Sequence, residues 1–165
     1  MITAGGTIEN SFCERSGELA NIDSKIERYL AQIRLPHTRV EVLPILAKDR
    51  LDLCIEDRQL ILTVVRQRLP LGCPIVITHG TDTVLQTAQE LERNLPELDL
   101  PIIFTGAMTP LGFDCSDGIQ NLTESLLAAK LLPPGVHLVM HSTVFNIHEI
   151  RKDHDRATFV HADGF

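Results

Sequence analysis

The chain is predicted to be a three-layer α/β domain, a mainly parallel sheet covered by helices on both faces. Three observations predict it. Short, mainly apolar, β-rich runs at residues 74–78, 101–105 and 136–140 have the length and composition of strands buried on both sides. Between these runs the apolar residues recur at helical spacing, so strand and helix alternate along the chain. Proline and glycine stand where the helical stretches stop, at Pro70, Gly72 and Pro133-Pro134-Gly135.

Met1-Ile2-Thr3-Ala4 is the first strand, and it runs directly into Gly5-Gly6-Thr7. From Ile8 to Ile22 the pattern is polar and irregular, which predicts a mobile loop of a length that usually marks function or disorder. Ser24-Lys25-Ile26-Glu27 supplies a capping box with Ile22 as staple, and Ile26, Tyr29, Leu30 and Ile33 follow at helical spacing, predicting a helix over 24–34. Residues 40–46 form a second strand, where Pro44 points to a sheet edge or an irregularity. Beyond the polar turn Lys48-Asp49-Arg50, the spacing of Leu60, Ile61, Val64 and Val65 predicts a helix over 56–69. The strand at 74–78 is left by His79-Gly80-Thr81-Asp82-Thr83, and a helix then runs to Asn94. The strand at 101–105 repeats the arrangement with Gly106-Ala107-Met108-Thr109-Pro110. Ser116-Asp117-Gly118 caps a helix over 118–131, and 136–140 is the last core strand. The remainder is polar and looped, with a small strand at Thr158 to His161. The sum is flavodoxin-like or Rossmann-like in general form, one domain over residues 1–165.

A chain of 165 residues is long enough to bury roughly 70% of its unfolded surface without help from metals or disulfides. Its 44% hydrophobic and 22% charged content excludes disorder, collagen and coiled coil. A net charge of −7 repels a polyanion, so nucleic acid is not an expected partner. The apolar runs fall far short of the roughly 20 residues that cross a bilayer, and no basic-then-apolar leader begins the chain. A cytoplasmic location with no membrane partner is expected. Cys13, Cys54, Cys73 and Cys115 form no CxxC pair and are expected to be reduced and mostly buried.

In a parallel sheet, ligands sit at the carboxyl ends of the strands. Here those ends carry glycines, which let a backbone approach a bound molecule and leave N–H groups for an anion, each followed by small or hydroxylated residues. A threonine hydroxyl attacks only when a base takes its proton. Asp82 adjoins Thr81, and Lys152 is the natural third member, since a desolvated lysine sheds its proton more readily and a carboxylate orients it.

These segments resemble the N-terminal domain of the bacterial-type L-asparaginase/glutaminase family, through ITAGGTI (Ile2 to Ile8), ITHGTDT (Ile77 to Thr83), FTGAM-P (Phe104 to Pro110) and SDG--NL (Ser116 to Leu122), in the family's order and spacing. The resemblance implies hydrolysis of the side-chain amide of L-asparagine, or of a similar small amide, to aspartate and ammonia. It makes Thr7 the attacking threonine, with Thr81 as the alternative nucleophile, Thr81 and Asp82 with Lys152 the proton-handling group, and Gly80 and Ala107 part of the substrate site. Backbone N–H groups near the glycines would form the oxyanion hole. It implies no metal or organic cofactor. Because the family builds its sites at subunit contacts, a homodimer is expected.

Three departures qualify the resemblance. The family's loop tyrosine is missing, since the sole tyrosine, Tyr29, lies beyond the loop and Leu19 and Ala20 stand near its expected place. Arg50 takes the position of a serine that holds the substrate's α-carboxylate, where an arginine can bind bidentately or fill the pocket. The family's C-terminal domain, with the carboxylate it lends to a neighbouring site, is expected to be absent, with Glu9 or Glu18 as the nearest substitute. The chain begins with barely a residue before the first strand, which raises a start placed too late. An alternative reading is a binding module for a small amino or carboxylic acid with little or no turnover, or a hydrolase of a different amide. His148, His154 and His161 with Asp153 and Asp155 match no ligand spacing and are expected to be solvated.

Overall fold

The computed structural model describes residues 1–13, 18–20, 26–46 and 53–162. Six strands form the main sheet in the order β4-β1-β5-β6-β7-β8: β1 Ile2–Thr3, β4 Leu43–Pro44, β5 Ile75–Thr78, β6 Pro101–Thr105, β7 Gly135–Met140 and β8 Thr143–Phe145. All neighbours are parallel except β8, which turns back antiparallel on β7. Pro44 lies on the edge strand, and the reason is visible in the ladder. Leu43 and Ile45 donate to Met1 and Thr3 of β1, whereas position 44 faces away from that neighbour, so a residue without an N–H fits there.

Side chains alternate across the sheet, and both faces are covered, which is why the central strands are mainly apolar. Ile77, Phe104 and Leu138 point to the side of α2 (Ile55–Arg68) and α3 (Val84–Asn94), where Ile61, Val65, Ala88 and Leu91 are buried. Val76, Ile103 and Val139 point to the side of α1 (Ile26–Leu30) and α4 (Gly118–Leu131), against Leu122 and Leu126. The predicted α/β class and its three layers are therefore present. No helix among the described residues is long and apolar enough to cross a membrane.

Four expectations change. The helix predicted over 24–34 is α for only Ile26–Leu30 and then tightens into i→i+3 turns, Gln32 to Tyr29 and Ile33 to Leu30, as Pro36 approaches. Its capping residue Ser24 and staple Ile22 lie outside the described residues. The segment from Ile8 onward contains a 3₁₀ turn, Thr7–Glu9, and an antiparallel hairpin of β2 (Ser11–Cys13) and β3 (Glu18–Ala20). Three-residue strands carry too little alternation to stand out from loop composition. The polar tail after β7 is likewise a second hairpin, β9 (Ile150–Asp153) with β10 (Thr158–His161), anchored in the core by Ile150 and Phe159. Cys54, Cys73 and Cys115 are free but exposed, since they occupy a helix N-cap and turns; Cys54 caps α2 by hydrogen bonding with Asp57.

At the end of β5 the His79 ring is fully buried and holds the turn to α3. Its Nδ1 lies 2.9 Å from the Gly80 carbonyl, which can only accept, so Nδ1 carries the proton. Nε2 then accepts from the Thr87 hydroxyl at 2.9 Å. Burial lowers the imidazole pKa to about 4, with a smaller push from Arg58, and the ring stays neutral.

Glycine and histidine at these turns set two measurable outcomes. Gly6 has φ +86 and ψ 178, a region open essentially to glycine alone, and a Cβ there would meet Gly80 N at 2.4 Å. Gly6→Ala is expected to cost about 3 kcal/mol or more in urea unfolding. Gly72→Ala, at φ +67 with nothing within 4 Å, is expected to cost only about 1–2 kcal/mol. For His79, the unfolded chain takes up a proton below its ordinary pKa of 6.5 while the folded ring resists until about 4. Stability attributable to this group is complete above that window and falls by about 3 kcal/mol as pH drops through it. Unfolding free energies measured from pH 7 to pH 4 should show a shallower slope in His79→Gln than in the parent.

Candidate functional site

Three parallel strands end level with one another. Thr3 of β1 is in register with Thr78 of β5, and Thr78 with Thr105 of β6, so the turns beyond them leave the sheet side by side. What lets them touch is missing side chains. Gly6 rests on the backbone of His79 and Gly80, and a Cβ on Gly106 would lie 2.6 Å from the His79 carbonyl and 3.2 Å from Thr81 Cγ2. Thr7 and Thr81, each following one of the touching glycines, thus stand on adjoining turns, both buried.

Lys152 comes to this edge from β9. Its Nζ donates to Thr81 Oγ1 at 2.7 Å and to Asp82 Oδ1 at 2.7 Å, across a separation of some seventy residues in sequence. The Lys152 and Asp82 side chains are only 13% and 15% exposed, so the cluster is largely withdrawn from water. Thr81 and Asp82 are not the caps of the following helix, because α3 begins after Thr83. The arrangement joins a hydroxyl, an amine and a carboxylate within hydrogen-bonding distance, a set able to move a proton on and off Thr81.

The Gly106-Ala107-Met108 turn is clamped from below by α4. Asp117 accepts from Met108 N at 3.0 Å and from Thr109 N at 2.9 Å, while Asn121 Nδ2 donates to Gly106 O at 2.9 Å and to Asp117 Oδ2 at 2.8 Å. Burial pushes the Asp117 pKa up, but the Met108 and Thr109 amides and the His141 ring together hold it below the usual carboxylate range. The expected cap at Ser116-Asp117-Gly118 is divided. Ser116 Oγ accepts from Gly118 N at 3.0 Å, and Asp117 turns back to the Met108 turn and makes no side-chain cap. Sequence reasoning singles out neither Asn121 nor His141. The SDG--NL spacing puts Asp117 and Asn121 at i and i+4, on one helix face, and that is the signal the sequence offers.

Other expected residues lie elsewhere. Glu9 is buried and its Oε2 accepts from Gly5 N at 3.1 Å, so this glycine amide is taken by the chain's own carboxylate and is not left for a ligand anion. Ala107 is fully buried within the clamped turn. Arg50 and the Glu18 side chain lie outside the described residues. His148 pairs with Glu92 of α3 at 2.5 Å, and among the described residues no three His, Cys, Asp or Glu side chains gather as metal ligands would. A groove of about 680 Å³, lined among others by Met1, Val40, Arg68, Pro74 and Lys130, lies at the opposite, amino end of the strands.

Residues 1–161 match the model of the family described as "Asparaginase, N-terminal". L-asparaginase 1 of Escherichia coli (strain K12) is 35% identical over 117 residues, 71% of this chain and 33% of that protein. The 60 kDa lysophospholipase of Mus musculus is 31% identical over 113 residues, 68% of this chain and 20% of that protein. The solved structure of the thermostable L-asparaginase from Thermococcus kodakarensis is 27% identical, with a TM-score of 0.84 over 97% of this chain and 49% of that one. The chain therefore spans about half the length, or less, of the relatives it matches. With nearly its whole length under the family model and its fold shared with a solved member, the chain belongs to the asparaginase family, through that family's N-terminal domain.

Proposed function

We propose that the protein is an amidohydrolase that releases ammonia from the side-chain amide of L-asparagine or a similar small amide. The observation that carries this reading is Lys152 Nζ at 2.7 Å from both Thr81 Oγ1 and Asp82 Oδ1 in a site with little water. For Lys152 to take the proton from Thr81 it must first give up one of its own. Asp82 then orients the amine and stabilises the ammonium that forms. Thr7, on the adjoining turn, attacks the carbonyl carbon by analogy with the family, its hydroxyl proton leaving toward the Thr81 cluster. The C–N bond breaks, ammonia leaves with a proton delivered by the same cluster, and water cleaves the resulting ester to the free acid. Gly80, Ala107 and Arg50 are proposed to line the substrate site. The chemistry needs no metal or organic cofactor.

Residues 1–165 are proposed to act as one domain, as a homodimer in the cytoplasm. Support for the dimer comes from the outer flank of α4, where Ile119, Leu127 and Leu131 are exposed, a costly arrangement for apolar side chains that meet no partner.

Ammonia release from asparagine and glutamine by purified protein tests the activity. Lys152→Met and Thr81→Val, each close in shape to the parent side chain, are expected to lower kcat by about a hundredfold or more, the usual worth of positioned proton transfer. Thr7→Ala is expected to do the same. Full turnover in both Thr7→Ala and Thr81→Val would reject the assigned roles. A rise in Tm with aspartate, in a protein that releases no ammonia from any amide of a small panel, would favour a binding module instead.

A further inference from the structure

We infer that His141 is a positioning residue for Lys152, bridging the clamped Met108 turn to the hairpin that carries the lysine; the inference rests on the amidohydrolase reading and deepens it. His141 directly follows β7 with φ +53, and Ser142 comes next with φ +60. Two consecutive non-glycine residues in the left-handed region are strained, and such a turn persists only where its surroundings hold it. Here they do. His141 N donates to Asn121 Oδ1 at 3.0 Å, and Ser142 N and Oγ donate to the Glu124 carboxylate at 2.8 Å each.

The strained turn aims the imidazole between two polar groups from different parts of the fold. Nε2 lies 2.8 Å from Asp117 Oδ2 and Nδ1 lies 2.7 Å from Thr158 Oγ1. On one side, Asp117 is the carboxylate that grips the Met108 and Thr109 amides. On the other, Thr158 opens β10, opposite Asp153 of β9, and the next pair of the ladder is Phe159 with Lys152. The ring therefore ties the sheet edge to the strand pair from which Lys152 reaches Thr81 and Asp82.

The need for a polar tie arises from the way the rest of the hairpin is held. Ile150 and Phe159 bury apolar side chains in the core and fix its depth. Apolar contact is weakly directional, whereas proton transfer requires placement to a fraction of an ångström. A ring held at both nitrogens cannot rotate, and it transmits the position of Asp117 to Thr158. The tie survives a change of protonation. The Asp117 carboxylate keeps the proton on Nε2, and Nδ1 accepts from the Thr158 hydroxyl when bare or donates to it when protonated. Substitution is therefore the way to break it.

The test uses Thr158→Val, which removes only the hairpin's half of the bridge, with Thr158→Ser as the variant that restores the hydroxyl. The sequence has four lysines, Lys25, Lys48, Lys130 and Lys152, so acetylation at each by an amine-reactive ester is readily followed by mass spectrometry. In Thr158→Val the acetylation rate of Lys152 is expected to rise about fivefold, the equilibrium worth of one hydrogen bond, with Lys130 unchanged and Thr158→Ser near the parent rate. Where asparagine is turned over, kcat should fall about tenfold with KM nearly constant, and Thr158→Ser should recover it. An unchanged Lys152 rate in Thr158→Val, or a Thr158→Ser variant no better than Thr158→Val, overturns the inference. Should Thr158→Val fail to fold, His141→Asn, which tolerates the left-handed backbone, takes its place under the same criteria. The labelling rate does not depend on turnover. A parent protein that hydrolyses no amide would defeat the amidohydrolase reading and leave this measurement to judge the position of Lys152 separately.

Discussion

The structure depends on direct backbone contact between turns that leave neighbouring strands. A methyl group on Gly6 would overlap the Gly80 amide, and one on Gly106 would overlap the His79 carbonyl. Because nothing stands between them, the residues after these glycines come within a side chain's reach of one another. The contact also dictates what lies underneath. The His79 carbonyl faces Gly106, so the His79 ring is driven into the interior, where it must be neutral and must find partners for both nitrogens; Gly80 and Thr87 supply them. Stability and site geometry are thus set by the same few atoms, and the cost of relaxing the turn is borne by both.

Onto this fixed edge the chain brings the buried cation of the site from far along the sequence. A lysine held only by a polar loop would gain little from a pair with Asp82, because surface ion pairs contribute little and side-chain entropy opposes them. Here the hairpin carrying Lys152 is seated by Ile150 and Phe159, so most of the ordering is provided by apolar burial, and the two 2.7 Å contacts need only select the final rotamer. The same division recurs at the Met108 turn. Leu111 and Leu122 bury the surroundings, while Asp117 and Asn121 fix the backbone amides and carbonyl.

The core of the fold is legible in the sequence because its strands are buried on both faces and its long helices are flanked by breakers. The strand at 101–105 and the helix over 118–131 have the predicted ends, and Pro44 stands on an edge. Of the hairpins only β10 is legible, as the predicted strand at Thr158 to His161. β2 and β3 are too short for periodicity to register, and β9 presents Arg151, Lys152 and Asp153, whose strand propensity is poor, its conformation being imposed by pairing with β10. At the candidate site, glycine spacing and the Thr81-Asp82 pair point to the carboxyl edge of the sheet, and Lys152, which meets that pair, is reached only by its place in a family-like order of segments. Asp117 reads as a cap because its true role is tertiary. His141 has no local signal at all, since its partners come from positions 117 and 158.

Glu9 changes what the first turn can do. Glycines at such a turn leave amides open to an anion, but the Gly5 amide already meets the Glu9 carboxylate, itself buried two residues beyond Thr7. A second carboxylate brought to that amide would displace Glu9 or stand against its charge. Any anion received at this edge needs a donor other than the Gly5 amide.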